Sequence, residues 1–324
     1  MHLQFDGQKY WVESDETVLD CLIRHGIHIP NSCRSGICQT CMLRATAGQP
    51  SQDSQKGLRP SRIEQNYFLS CSCLPEQDME IVLPDTESLS IATTLSSIEY
   101  LNTNTLRLRL ALPEDYSYHA GQYLRLFHPS GESRNYSIAS QPDQDEFLEL
   151  HVRILPGGLI SDWLVETLQV GDKIAIGEAI GDCYYIDDNP KQSLLLIGTG
   201  TGLAPLYGVL RDAIEKQHLG DIHLYHGSSL SEGLYLKETL HNLTHHADHS
   251  YNPCASDTQG QQGIRQGRCN VLALEDHPIL SGWRVFICGN PAMVKATQRA
   301  VFLAGASMSD ILVDSFLTTR PTTT

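Results

Sequence analysis

Four cysteines near the start of the chain have the residue type and spacing of a metal centre. Cys33, Cys38 and Cys41 follow the pattern C-x4-C-x2-C, and Cys71 comes after a long interval. Three thiolates from one tight loop and a fourth from afar suit a plant-type [2Fe–2S] cluster. A structural zinc site draws instead on two short pairs, whereas here three cysteines crowd one loop. Gly36 gives that loop conformational freedom, and the small neighbours Ser32, Ser35 and Thr40 let backbone N–H groups approach sulfide. Cys73 falls outside the spacing and Cys21 lies on a predicted helix, so both read as buried thiols.

Two further groups of residues suit flavin and nucleotide chemistry. Arg134-Asn135-Tyr136-Ser137 sits at the end of a predicted strand. Arg134 can pair bidentately with a pyrophosphate. Tyr136 offers a flat face to an isoalloxazine ring, and Ser137 a hydrogen bond to its N5. Gly157, Gly158 and Ser161 open a nearby predicted helix, where amides and a hydroxyl are expected to face a phosphate. Downstream, Gly198-Thr199-Gly200-Thr201-Gly202 and Pro205 join a strand to a helix. Glycines there let the backbone approach a pyrophosphate, and the helix start supplies positive dipole. Leu203 stands where G-x-G-x-x-G would have its last glycine, so the loop is not that fingerprint.

The elements that must hold these groups fall into three segments. Residues 1–85 predict a hairpin, His2–Phe5 with Lys9–Val12 around Asp6-Gly7-Gln8. A helix capped by Ser14 or Asp15 and stopped near Gly26 follows, then cysteine-rich loop, then a strand Met79–Leu83. Residues 85–90 read as a polar linker. From 91 to 190 the pattern alternates with period two, clearest at Leu106–Leu112, Tyr123–Phe127, Glu149–Ile154 and Lys173–Ile176. One helix, Ser161–Leu168, interrupts it, which predicts a small antiparallel barrel. From 191 to 324, strands Leu194–Ile197, Ile222–Tyr225, Val285–Ile287 and Ile311–Val313 alternate with helices Ala204–Lys216 and Ala292–Ala304. That alternation predicts a doubly wound parallel sheet. Thr318–Thr324 reads as a frayed tail.

Composition narrows the function classes. A net charge of −15 opposes general nucleic-acid binding and fits a partner met through an acidic face. The apolar runs are too short to span a bilayer, and the chain opens without a signal-like segment, so a cytoplasmic protein with no membrane partner is expected. Ten cysteines in such a compartment should be reduced or metal-bound. His241, His245, His246 and His249 include i, i+4 pairs but read as an exposed helix and loop rather than a metal site. G-x-S-x-G is absent, so hydrolase chemistry has no foothold.

On these motifs the chain resembles a known family. Cys33-Arg-Ser-Gly-Ile-Cys38-Gln-Thr-Cys41 with Phe68-Leu-Ser-Cys71 is similar to a plant-type ferredoxin domain, which implies a β-grasp fold. Gln39 departs from the family's usual small residue and is expected to alter hydrogen bonding around the cluster. Ala120-Gly121-Gln122-Tyr123, the Arg134 motif and the Gly198 loop resemble the ferredoxin–NADP reductase superfamily, although Glu178-Ala-Ile-Gly181 replaces its usual Gly-Pro-x-Gly. Phe286-Ile-Cys288-Gly289-Asn-Pro291-Ala-Met293 looks like the superfamily's C-G-x-P-x-M motif. The resemblance implies that Cys288 lies beside the nicotinamide C4, that Asp314 supports the flavin site and that Phe316 shields the ring.

The whole chain resembles the reductase components of bacterial multicomponent oxygenases. That implies an electron path from NADH through FAD and a [2Fe–2S] cluster to a terminal oxygenase or another electron-accepting protein. A reductase for a deoxysugar dehydratase, and a flavin reductase carrying its ferredoxin as a docking or redox-sensing module, stay open. NADH is expected over NADPH because Asp257 stands where NADPH-using relatives have arginine, although Arg265 and Arg268 are nearby cations.

Overall fold

Period-two burial dictates most of what the computed structural model shows. It describes the chain except Ser32, Cys38, Arg59, residues 85–89, 246–247 and 317–324, and the side chains of 60 and 61. The expected linker and tail, and the expected domain boundary at 85, therefore lie largely outside the described residues, as does His246. The chain divides into two compact units, 1–89 and 90–324.

The first unit is a five-stranded mixed sheet. Its strands are β1 (His2–Phe5), β2 (Gln8–Trp11), β3 (Met42–Ala47), β4 (Tyr67–Leu69) and β5 (Met79–Val82), in the order β2-β1-β5-β3-β4. β1 runs parallel to β5 and the other pairs are antiparallel. The first turn is tighter than expected: Asp6 and Gly7 both take positive φ, and Gln8 already pairs with Phe5. Helix α1 (Val18–Arg24) starts later than expected, because Thr17 rather than Ser14 or Asp15 accepts from the Asp20 amide. Gly26 ends it with φ +79, and Ile27 N donates to Leu22 O. Leu3, Leu19, Leu22, Leu43, Phe68 and Ile81 are fully buried. β3, β4 and a short helix α2 (Pro60–Glu64) occupy sequence that carries no strong period.

The second unit has two parts. The first is a six-stranded antiparallel sheet of β6 (Ile91–Asn102), β7 (Thr105–Ala111), β8 (Tyr123–Phe127), β9 (Ser133–Ser137), β10 (Phe147–Arg153) and β11 (Lys173–Ile176), ordered β10-β7-β6-β11-β8-β9. A bridge between Ile138 and Leu150 joins the two ends, which closes the sheet as a barrel. Leu106, Leu108 and Leu110 line its core. Helix α3 (Leu159–Glu166) packs Ile160 and Leu164 against it, two residues earlier than expected.

The second part is an all-parallel sheet of β12 (Leu194–Thr199), β13 (Ile222–Leu230), β14 (His249–Asp257), β15 (Arg265–Gln266), β16 (Arg284–Gly289) and β17 (Ile311–Ser315). Their order is β15-β14-β13-β12-β16-β17. β12 shows why: Leu194 and Leu196 join one core with Leu206, Val209 and Leu210 of α4 (Leu203–Glu215). Leu195 and Ile197 join the other. Helices α5 (Lys237–Leu243) and α6 (Cys269–Asp276) precede α7 (Pro291–Leu303), whose Val294 and Val301 complete that second core. Burial on both faces is what a parallel sheet requires. His249 opens β14, so the expected exposed loop is there a half-buried strand. No helix among the described residues is long and apolar enough to cross a membrane.

Candidate functional site

The cysteine loop is shaped by backbone conformation. Arg34, Gly36 and Gln39 take φ of +53, +76 and +55, turns that fold a short loop on itself. The Ser35 amide lies 3.5 Å from Cys33 Sγ, an N–H directed at that sulfur. A Cβ on Gly36 would stand 3.3 Å from Ser72 Oγ, so the loop lies close against the turn at 70–72. Met42 pairs with Leu69, which brings the preceding Cys41 opposite Ser70. Ser70 donates to Cys41 O through both N (3.1 Å) and Oγ (2.7 Å).

The Cys41 thiol reaches the Cys71 backbone and side chain, and burial pushes it up to about 11. A bound cation would compensate that burial by favouring the thiolate, which fits an iron site. Cys33 is exposed, and Cys38 lies outside the described residues. Among those residues no three His, Cys, Asp or Glu form a closed metal site. Cys73 is buried and its carbonyl accepts from Val18 N, consistent with a structural thiol. Gln39 is partly engaged elsewhere. Its amide donates to Gly57 O at 3.3 Å, so the side chain is engaged with the next loop.

The barrel presents the flavin residues on β9. Strand alternation puts Arg134 and Tyr136 on one face and Asn135 and Ser137 on the other. Tyr136 packs on the barrel core, and burial raises its phenol. Arg134 is engaged by Ser133 O at 2.8 Å and, at 3.3 Å, by Glu132. Asn135 is exposed. Gly157 takes φ +73 before α3, whose first-turn amides have no partner within the helix. Ser161 departs from the expectation of a phosphate-facing hydroxyl. Its Oγ accepts from Leu155 N (3.2 Å) and bonds Leu155 O (3.0 Å), so it fastens the loop that presents those amides. Gly181, in the segment that replaces Gly-Pro-x-Gly, has φ +103 and lies against the Tyr123 ring.

The nucleotide residues cluster at the C-terminal ends of β12 and β16. β13–β15 extend outward on one side of β12 and β16–β17 on the other, so this is the topological switch point where α/β sheets bind ligands. The two loops there interlock. A Cβ on Gly202 would lie 2.3 Å from Cys288 O, and one on Gly289 would lie 2.5 Å from Thr199 Oγ1. Thr199 Oγ1 also accepts from Asn290 N at 3.2 Å. Thr201 is half-buried between the glycines. Pro205 sits in the first turn of α4, where a missing N–H costs nothing. Asn290 caps α7, accepting from Ala292 N and Met293 N, with Pro291 at its first position.

These two parts share one site. Ser137 Oγ donates to Asp314 Oδ2 at 2.7 Å. Asp314 is the register partner of Cys288, and Phe316 N donates to Gly289 O at 2.9 Å. Burial pushes the Asp314 carboxyl up to about 6, and the Ser137 hydroxyl opposes that rise. Cys288 is fully buried, and loss of solvent and the nearby Cys183 thiol drive it upward. Buried Ser137 and Cys288 and half-buried Asp314 thus meet where the barrel joins the parallel sheet.

Sequence reasoning missed the groups that join the barrel to the parallel sheet. Arg211 pairs bidentately with Asp145, at 2.7 and 3.1 Å. Buried Glu149 binds Arg109 and His151, and His151 Nδ1 lies 3.2 Å from Tyr235 OH. Cys183 Sγ lies 3.4 Å from Cys288 Sγ. Apart from Glu149 and His151, which share β10, the partners are far apart in the chain, so no short-range spacing reveals them.

Comparison with known proteins agrees with this geometry. Residues 2–76 match the 2Fe-2S iron–sulfur cluster binding domain, 92–185 the oxidoreductase FAD-binding domain and 196–299 the oxidoreductase NAD-binding domain. The reductase subunit of an aromatic O-demethylase from Amycolatopsis is 33% identical over 91% of this chain and 92% of its own. The reductase component of the naphthalene 1,2-dioxygenase/salicylate 5-hydroxylase systems of Ralstonia is 30% identical over 94% of each. The crystal structure of the Amycolatopsis cytochrome P450 reductase GcoB superposes with a TM-score of 0.70 at 30% identity, covering 97% of this chain and 98% of that one. Cluster, flavin and nucleotide segments, found in this order along almost the full length of such relatives, show that the chain belongs to the family of iron–sulfur flavoprotein reductases that serve oxygenase systems, with a [2Fe–2S] cluster, FAD and a nicotinamide nucleotide as its cofactors.

Proposed function

We propose that this protein takes hydride specifically from NADH and delivers electrons singly to a terminal oxygenase component. The observation that carries the reading is the Ser137–Asp314 hydrogen bond beside Cys288, which ties barrel strand to parallel sheet where hydride must cross. Bound FAD supplies two-electron acceptance from the nicotinamide and one-electron delivery to the cluster.

The protein's own residues do the rest. Tyr136 and Phe316 would flank a bound flavin ring, Ser137 would meet its edge, and Arg134 with the α3 amides would hold the pyrophosphate. The loops 198–202 and 288–290 set the nicotinamide, with Cys288 beside its C4. Cys33, Cys38, Cys41 and Cys71 hold the cluster. A cytoplasmic setting suits these reduced thiols.

The preference for NADH rests on Arg265 and Asp257. Arg265 is engaged bidentately by Asp276, which also accepts from Tyr225 OH at 2.6 Å. Arg268 caps α6. Exposed Asp257 ends β14 on the ligand-binding edge, where its charge repels a 2′-phosphate.

The purified protein should carry about two iron and two sulfide per chain together with FAD. NADH should reduce the flavin with a higher specificity constant than NADPH, and Asp257→Arg should shift that ratio by about one to two decades. Stoichiometric zinc without sulfide would refute the cluster, and an unmodified protein preferring NADPH would refute the role of Asp257.

A further inference from the structure

We infer that Cys183 and Cys288 form a reversible disulfide that switches off hydride delivery under oxidative load. Their sulfurs lie 3.4 Å apart, in contact and close to bonding range. Cys183 is 4% exposed and Cys288 fully buried, so competing partners are excluded. Both backbones are pinned. The Cys183 carbonyl lies against Gly121 and the Cys288 carbonyl against Gly202, where an added Cβ would approach to 2.3 Å in each case. Closing the gap to a bond of about 2.05 Å therefore falls to side-chain rotation.

The oxidant is hydrogen peroxide, which arises wherever reduced flavin meets dioxygen. Two S–H bonds and the O–O bond break, one S–S bond forms, and two waters leave. Each sulfur loses one electron and each peroxide oxygen gains one. Burial raises the Cys288 thiol, which favours its protonated form and slows its reaction with peroxide. The linked Cys288 sulfur is held against Cys183 and is no longer free to adjust to a bound nicotinamide. That functional consequence rests on the reading of Cys288 given above, whereas the disulfide rests on the sulfur contact alone.

The test treats the holoprotein with hydrogen peroxide, quenches with catalase, alkylates free thiols and maps peptides without reduction. A cross-linked Cys183–Cys288 peptide that disappears with dithiothreitol is expected. The limiting rate of flavin reduction by NADH should fall about tenfold or more and return on reduction. Cys183→Ala and Cys183→Ser should keep their rates through the same treatment. Alkylation of both thiols after peroxide, or equal inactivation of the Cys183 variants, overturns the proposal. If either variant fails to fold, the peptide map of the unmodified protein still decides. An unchanged rate in the never-oxidised Cys288→Ala protein would instead overturn the placement of Cys288 at the nicotinamide.

Discussion

Asp314 shows how a single burial sets both chemistry and stability. Its carboxyl titrates at about 6 against an ordinary 3.8, so the folded protein binds this proton more tightly than the unfolded chain does. The associated stabilisation is complete below about pH 4 and is lost as pH rises through 6. Asp314→Asn keeps an acceptor for the Ser137 hydroxyl but removes the ionised form. The variant should melt higher than the parent at pH 8 and at the same temperature near pH 3.5, measured by calorimetry on the holoprotein. A shift independent of pH would remove Asp314 as its source. In the cluster unit, the interval from Cys41 proposes Cys71 as the fourth ligand, the ladder brings its neighbour Ser70 against Cys41, and Cys73 is a buried thiol. Cys71→Ser should abolish cluster absorbance and Cys73→Ser should keep it; the reverse result would reassign the ligand.

At the scale of elements, the interlocked loops at the ends of β12 and β16 set different demands on two neighbouring glycines. Gly200 has φ +55 and open space around a would-be Cβ, whereas Gly202 has an ordinary φ but the Cys288 carbonyl at 2.3 Å. Gly200→Ala pays only the left-handed penalty of about 1–2 kcal/mol. Gly202→Ala must part the two loops, so it should lose more of its NADH-driven flavin reduction while retaining FAD. Stopped-flow rates of the two variants compare them directly, and an equal effect would mean the loops can separate freely. Much of this scaffold was legible in the sequence. Leu194–Ile197 and Tyr123–Phe127 are strands because their burial pattern is local, and Gly26 stops a helix because glycine takes the left-handed turn without steric cost. β3 and β4 were not legible, because Met42–Ala47 and Tyr67–Leu69 become strands by pairing with distant chain. The same holds for Ser161, whose hydroxyl is claimed by Leu155, and for Thr17, which outcompetes two equally suitable caps by the geometry of one turn.

Across the whole molecule, a net charge of −15 makes encounter with an acceptor depend on ionic strength. Turnover with the basic acceptor cytochrome c should fall as salt rises toward physiological strength, whereas reduction of the flavin by NADH under the same conditions should change little. Equal slopes in both assays would place the salt effect inside the reductase. Three cofactor segments in chain order also fix when the machine becomes complete. The Ser137–Asp314 bond joins residues 177 positions apart, and Asp314 lies on β17, the final strand at the sheet edge. A chain that has already closed its barrel still lacks this bond and the register neighbour of Cys288 until β17 docks. On the function proposed above, hydride transfer requires β17 docked against β16, so a molecule that holds flavin without that strand lacks an efficient supply of electrons to spill onto oxygen.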